Sequence, residues 1–306
     1  MPLTTTNFQD LLDPRFKEIF DDDYMKPEDR VSEFYDMEGS NLLTERWSQI
    51  GGLPETPQFT GTVTYHEVSQ GYDTTATHVQ FAQGFTVERL LWEFNKHGSA
   101  LFDKPKALAE ALSRLRQVHR VRPFINAFSV DTFFYNNSEG VALCSNSHTT
   151  TSGASTTNGF DNYVTTALSA TVLFSLRNQM IKHRNDQGLE IGIMPDTLYI
   201  PPDLADVAFE IVGSEGKPDV ATNNANVHFG QYKVVEDLYL STRGDTNNWY
   251  LIDSKMMKRA MKWIDHIKGE FGQAEEFDTL IGKWRAYAVW TQAVRDWRWI
   301  SGADVA

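Results

Sequence analysis

The stretch "FTGTVTYHEVSQGYDTTATHVQFAQGFTVE", residues 59–88, constrains the fold of this 306-residue sequence more than any other. Threonine, valine and aromatic residues dominate it. Val63 and Tyr65 alternate with threonines, and Val79 and Phe81 alternate with polar residues, a pattern that is typical of β-strands. The stretch therefore predicts two strands that pair as a long hairpin.

A glycine and an aspartate near the middle of the stretch, Gly71 and Asp73, predict the turn of that hairpin. Ten residues per arm at about 3.3 Å each give a ribbon roughly 33 Å long. An isolated two-stranded ribbon is marginally stable in water, so this one needs a surface to lie on. If its own domain does not supply that surface, a neighbouring subunit must.

A long amphipathic helix is predicted after the hairpin, in "DKPKALAEALSRLRQVHRVRPFINAF", residues 103–128. Asp103 stands where an N-cap belongs and Pro105 falls in the first turn, while leucines recur along one face. Pro123 is expected to end or kink the helix.

This helix is the most basic part of an acidic chain. The 28 lysines and arginines are outnumbered by 41 aspartates and glutamates, which gives a net charge of −13 and disfavours generic nucleic-acid binding. The helix nevertheless carries arginines that could face a polyanion, with an ordinary solvated face as the simpler alternative: Arg114, Arg116 and Arg120.

Helical and strand-like patterns are mixed through the rest of the sequence, which predicts an α+β fold. Residues 1–50 are short amphipathic pieces with little core of their own, as in an arm, and residues 145–162 are a polar loop between two regions. The ending "RDWRWIS" alternates, so Trp297 and Trp299 are predicted to be core anchors on one face of a closing strand.

Motifs for chemistry are missing from the sequence. No zinc-ligand spacing and no phosphate-binding glycine loop is present, so neither metal nor cofactor is predicted. The best nucleophile–base pair on offer is Cys144 with His148, near Asn146, and a small buried thiol is the simpler interpretation. The single cysteine favours a reducing compartment. The sequence has neither a signal peptide nor a membrane-spanning run.

The order of these parts resembles the major capsid protein of tailed bacteriophages, the Hong Kong-type fold. The phrases "NAFS…GVALCSNSH", "RNQ…NDQGLEIGIMPDTLYIPPDL" and the terminal "RDWRWISG" look like the Mu-like major head subunit family and its relatives. The similarity covers roughly residues 85–302.

The resemblance implies a division of the chain into named parts. These are an N-terminal arm (1–50), an extended β-hairpin loop (51–88), a peripheral domain (89–150 and 261–306) with a spine helix (104–128), and an axial domain (151–260). The last forty or so residues would return to the peripheral sheet, with the two indoles near the spine helix. The extended loop would lie across an adjacent subunit and contact it through Val63, Tyr65, Tyr72, Val79 and Phe81.

The function that the resemblance implies is self-assembly into hexamers and pentamers of an icosahedral phage head around double-stranded DNA. The protein would be a non-enzymatic part of the virion, assembled in the host cytoplasm with a separate scaffolding protein, a portal and possible decoration proteins, without a membrane. Some capsids of this fold link subunits through a lysine on the extended loop; residues 59–88 contain none, which predicts a non-covalent shell. The alternatives are an encapsulin-like nanocompartment and a Cys–His hydrolase using Cys144.

Overall fold

A computed structural model of the chain describes residues 14–25, 29–66, 70–94, 99–216, 225–276 and 278–306. Its helices are α1 Pro14–Met25, α2 Val31–Phe34, α3 Arg89–Phe94, α4 Ser99–Ile125, α5 Ala170–Ile181, α6 Ala205–Gly213, α7 Leu238–Arg243 and α8 Ser254–Ala260. Its strands are β1 Asp36–Glu38, β2 Thr44–Ile50, β3 Gln70–Thr77, β4 Val79–Glu88, β5 Tyr135–Asn137, β6 Tyr163–Val164, β7 Thr197–Ile200, β8 Lys233–Glu236, β9 Trp249–Ile252, β10 Met261–Glu276, β11 Ile281–Val294 and β12 Ile300–Ala303. The fold is α+β.

The described strands form three sheets. The first has the order β1-β10-β11-β4, the second β6-β12-β9-β7-β8, and the third β2-β3-β5. One core cluster lies mainly between the first sheet and the helices α1 and α4, and a second lies around the five-stranded sheet with α5 and α6. The first two sheets therefore each have one face whose apolar residues are covered by helices, whereas the third sheet packs beside β11.

The long helix α4 corresponds to the predicted spine helix, although it begins at Ser99 rather than at residue 104 and ends at Ile125. Pro105 lies in its second turn. Pro123 lies inside the helix, which ends two residues later, because a proline removes one hydrogen bond of the preceding turn. Leu108 and Leu112 are buried on the face that meets the first core cluster.

The N-terminal segment finds its core on the chain itself. Phe16 and Phe20 of α1 are fully buried. The ring of Phe16 lies 5.5 Å from the rings of both Phe102 and Trp284, and that of Phe20 lies 5.2 Å from Phe271. The helix α1 of the predicted arm therefore packs on α4 and the first sheet, whereas the end of the arm, β2, belongs to the third sheet.

The predicted pairing of the two strands within residues 59–88 is wrong. β3 pairs antiparallel with β2, whereas β4 pairs antiparallel with β11, so the two strands belong to different sheets. Gly71 and Asp73, predicted to form the turn, lie inside β3. The reason is that the apolar face of β4 matches the buried face of β11: Phe81 stacks on Trp290 and Phe85 on Trp284, at 4.5 and 5.2 Å between ring centroids.

The C-terminal indoles are buried, but they lie on a turn and not on a strand. Trp297 and Trp299 precede β12, which pairs with β9 and β6 in the five-stranded sheet and not with the long strands of the first sheet. The indole nitrogen of Trp299 donates to the Asp296 carbonyl at 2.7 Å, a contact that closes the turn. The ring of Trp299 lies 5.9 Å from Phe124 of α4, so this indole does pack beside the long helix.

Candidate assembly surfaces

An exposed ribbon is the first candidate for contact with another copy. β2 and β3 form it, in register from Thr44 opposite Thr77 to Ser48 opposite Asp73. Residues 51–66, here called the ribbon tip, follow β2 and contain no helix or strand. A ribbon therefore exists, but β2 and β3 form it, and not the two strands predicted within residues 59–88.

The ribbon tip exposes large apolar side chains. Tyr65 is 90% exposed and Val63 is 57% exposed, and Leu53 and Phe59 are also exposed. So many apolar side chains in water on one segment are unusual for a surface that stays solvated, and they indicate a contact site.

The strands of the ribbon are fixed to each other and to the rest of the chain. Arg46 and Asp73 form an ion pair across the two strands, and hydrogen bonds from Ser48 and Arg46 lower the pKa of Asp73 to about 2. The hydroxyl of Tyr72 lies 2.6 Å from that of Thr149, outside the ribbon. The strands from which the tip extends are therefore held in place.

The five predicted inter-subunit residues divide into two groups. Val63 and Tyr65 are exposed on the ribbon tip. By contrast, Tyr72 bonds to Thr149 of its own chain, and Val79 and Phe81 pack against the first core cluster. The correction follows from the sheet assignment, because β4 has its apolar partners on β11.

Two of the three arginines predicted to face DNA are buried in ion pairs, contrary to the prediction. The guanidinium of Arg116 donates to both oxygens of Asp265, at 2.6 and 2.8 Å. Arg120 is 1% exposed and its guanidinium donates to the buried carboxylate of Asp237. Arg114 is exposed. Two of the three arginines assigned to a DNA-facing surface are therefore neutralised inside the subunit.

A second group of exposed apolar residues lies around the five-stranded sheet, on α5, α6 and the segment that leads to β8. Its members are Phe174, Val207, Phe209, Val227 and Phe229. The ring of Phe174 lies 6.3 Å from that of His228, which places α5 beside that segment.

The thiol and imidazole considered for catalysis have structural roles. Cys144 is buried, which raises the pKa of its thiol, and its backbone N–H donates to the Ala127 carbonyl at 2.7 Å. The Nδ1 atom of His148 lies 3.1 Å from a carboxylate oxygen of Glu139, and its ring is stacked on Trp297. A buried thiol with a raised pKa is a poor nucleophile.

Within the described ranges, no group of three or more His, Cys, Asp or Glu side chains is arranged to hold a metal ion. The helices in the same ranges are too short or too polar to cross a bilayer. The geometry of the described residues points to surfaces and not to a chemical centre.

Comparison with known proteins supports the same conclusion. The family model described as "Phage capsid protein" matches residues 71–301. This description is broader than the Mu-like major head subunit family, and the narrower likeness stays a prediction. No curated protein matches the sequence.

Solved structures share the fold at low sequence identity. The mature capsid of bacteriophage PhiM1 is 9% identical with a TM-score of 0.57, over 89% of this chain and 85% of that one. The structure of Mycobacterium phage Patience is 11% identical with a TM-score of 0.55, over 97% and 88% of the two chains. The capsid of phage XM1 is 12% identical with a TM-score of 0.51, over 90% of each chain.

Proposed function

The chain belongs to the phage capsid protein family, and on this premise we propose that its exposed ribbon is the surface by which one copy holds the next in the phage head. The protein is a structural component of the virion that self-associates into the capsid shell. The observation that carries the proposal is the ribbon tip, where Phe59, Val63 and Tyr65 are exposed to water on a ribbon whose strands are held by the rest of the chain.

Burial of these side chains supplies the energy of association. Fully burying one large apolar side chain is worth about 1.5–3 kcal/mol. Each contact can be weak, because a closed symmetric shell repeats it in every subunit and the contacts act together.

The shell we propose is icosahedral and built from hexamers and pentamers, with the exposed apolar residues around the five-stranded sheet directed at the centre of each capsomer. It encloses double-stranded DNA without binding a particular sequence. The net charge of −13 supports this, because an acidic lining does not grip the phosphates that it surrounds. Arg114 is the one residue of the predicted DNA-facing trio whose side chain is exposed in the described structure.

We further propose that the role is purely structural, without catalysis, and that assembly takes place in the host cytoplasm with a separate scaffolding protein, a portal and possible decoration proteins. The subunit contacts are non-covalent, because neither the ribbon tip nor residues 59–88 contain a lysine for a cross-link. Assembled particles are then expected to run as monomers in denaturing electrophoresis, and a ladder of multimers would contradict this.

Negative-stain electron microscopy of the overexpressed full chain tests the main proposal. We expect hollow icosahedral particles or rings of capsomer size. A protein that stays monomeric at every concentration tried, with its ribbon folded onto its own body, would overturn the proposal. Protein cargo in place of DNA inside particles isolated from infected cells would indicate an encapsulin-like compartment instead.

A further inference from the structure

The strand β4 ends the first sheet and leaves one edge unpaired. It pairs with β11 over its full length, from Val79 opposite Trp290 to Glu88 opposite Ile281. Among the described residues, no backbone hydrogen bond joins β4 to a strand on its other side. A row of backbone donors and acceptors is therefore available along that edge.

This edge lacks the features that usually protect a free strand. Its ten residues, "VQFAQGFTVE", contain no lysine, arginine or proline and a single carboxylate, that of Glu88. Gln80, Ala82, Gln83 and Thr86 are exposed. Proteins normally protect a long edge with charges, prolines or bulges, since it otherwise pairs with other chains. An unprotected edge in a self-associating protein indicates that another strand covers it.

A groove runs beside the same edge. It has a volume of about 330 Å³ and lies between β4 and α4. Its lining is mostly apolar or small and comprises Gln80, Phe81, Ala82, Gln83, Leu108, Ala111, Leu112, Leu115 and Ala286. Such a groove can receive apolar side chains of a strand that pairs with β4.

The ribbon tip contains a segment suited to both features. Residues 62–66, "TVTYH", consist of β-branched and aromatic residues plus one histidine, which is a composition with high strand propensity. The segment nevertheless forms no strand in its own chain. Val63 and Tyr65 are two residues apart, so in a strand they share one face. Five residues at about 3.3 Å each span roughly 16 Å, which is half the length of β4.

We propose that residues 62–66 of one copy add as a strand to the free edge of β4 in a second copy, with Val63 and Tyr65 in the groove between β4 and α4. The inference rests on the proposed function, because it names the surface that receives the ribbon tip. Main-chain hydrogen bonds then supply affinity, and the groove selects the apolar side chains of alternate residues.

Cysteine cross-linking in assembled particles tests this pairing. Gln83 opposes Ala286, so it lies on the face of β4 that is directed toward the core and α4. Gln83→Cys is combined with Val63→Cys and, separately, with Tyr65→Cys, because paired strands bring such residues within the Cα distance of a disulfide. The native Cys144 is buried and does not compete.

We expect a ladder of disulfide-linked multimers in non-reducing electrophoresis from at least one Gln83→Cys combination. In the matched control, Lys233→Cys takes the place of Gln83→Cys and is combined with the same ribbon-tip cysteines. Lys233 is exposed on β8, another edge strand, and we expect no ladder from this control. The inference is overturned if particles form without a Gln83→Cys ladder, if the control links equally well, or if Gln83→Cys links only to a different protein. Absence of particles from the wild-type chain would instead refute the proposed function.

Hydrogen exchange of the wild-type chain, free and assembled, provides a second measurement that needs no substitution. Amides of residues 62–66 and of β4 are expected to gain protection together on assembly, by at least tenfold, while those of β8 do not. Protection of only one of the two segments overturns the pairing.

Discussion

The indole of Trp297 lies flat against the imidazole of His148, with 4.0 Å between ring centroids and 7° between ring planes. The ring of His183 meets the same indole edge-on at 5.2 Å. His148 follows α4, His183 follows α5, and Trp297 lies between the last strands of two different sheets. One indole therefore joins three distant segments of the chain.

Removal of this indole is expected to destabilise the subunit strongly. Trp297→Ala deletes a side chain that is 5% exposed and leaves a cavity between two histidines, at a cost of about 3–5 kcal/mol in the free energy of unfolding. Urea denaturation of the unassembled subunit measures the loss. Trp47→Ala, on the ribbon strand β2 and only partly buried, is the matched control and should cost clearly less. Equal losses of unfolding free energy in the two variants would show that Trp297 contributes no more to stability than a partly buried tryptophan.

The stability of the subunit is expected to fall as the pH decreases from 6.5 to 4. Burial, together with the nearby Arg298 guanidinium and His148, lowers the pKa of His183 to about 4, and the backbone carbonyls of Arg298 and Asp161 only partly oppose this. The unfolded chain takes up this proton near pH 6.5, so in the window between the two values the unfolded state binds more protons and folding is penalised. The contribution is at most about 3 kcal/mol.

The share of His183 in this pH dependence can be isolated by measuring urea midpoints across that window, because burial also lowers the pKa of His119 to about 4 and the wild type carries both contributions. His183→Gln should lose less stability than the wild type as the pH falls, because glutamine does not take up a proton. His66→Gln, on the exposed ribbon tip, should follow the wild-type curve. The assignment is wrong if both variants show the same pH dependence as the wild type.

Loss of a buried arginine on α4 is expected to lower the free energy of unfolding of the subunit and not only to remove a positive charge. Arg120→Met removes the guanidinium that donates to the buried carboxylate of Asp237 and leaves Arg30, whose Nη1 lies 4.0 Å away, as the remaining cation, at a cost of about 3 kcal/mol. Arg114→Met, on the exposed side of the same helix, should change stability by less than about 0.5 kcal/mol. Chemical denaturation of both variants decides this. A double variant that also carries Asp237→Asn should recover part of the loss, and its failure to do so would refute the pairing.

The buried ion pairs mark the limit of what the sequence could predict. The periodicity of apolar residues predicted α4, because that signal is local. The carboxylates that neutralise Arg116 and Arg120 lie 149 and 117 positions away, at Asp265 and Asp237. No local sequence pattern connects these arginines with their carboxylates. The sequence therefore indicated a basic face that could meet DNA, although two of its three arginines are buried in ion pairs.

Strand pairing failed in the sequence interpretation for a related reason. The alternation in residues 59–88 located β4 correctly, but the first predicted strand, with Val63 and Tyr65, is not a strand, and the predicted turn lies inside β3. The partner of β4 was decided by a buried aromatic face on β11, some two hundred positions later in the chain. The order of parts carried enough information to identify the fold because it does not depend on knowing which strand pairs with which.

Native Cys144 is expected to resist thiol reagents at neutral pH. Its thiol is buried against the backbone of β12, since a Cβ added at Gly302 would lie 2.8 Å from its Sγ, and burial raises its pKa. Ellman's reagent should modify the thiol only after unfolding, with a rate at least a hundredfold slower in the folded subunit. Rapid labelling of Cys144 in the folded protein would contradict this prediction and support the alternative of a Cys–His hydrolase.

Charged residues on the ribbon tip are expected to abolish assembly and leave the subunit folded. Val63→Asp and Tyr65→Asp place a carboxylate where the isolated subunit already exposes the side chain, so the free energy of unfolding should change by less than about 0.5 kcal/mol. In the shell the same carboxylate would be buried without a partner in every subunit, at a cost of several kcal/mol per contact. Sedimentation and electron microscopy should therefore show folded, unassembled protein. Val130→Asp, at an exposed apolar position outside the ribbon, is the control for a general effect of added charge and should still assemble. Normal particles from the double variant Val63→Asp/Tyr65→Asp would show that the ribbon tip does not hold the shell together.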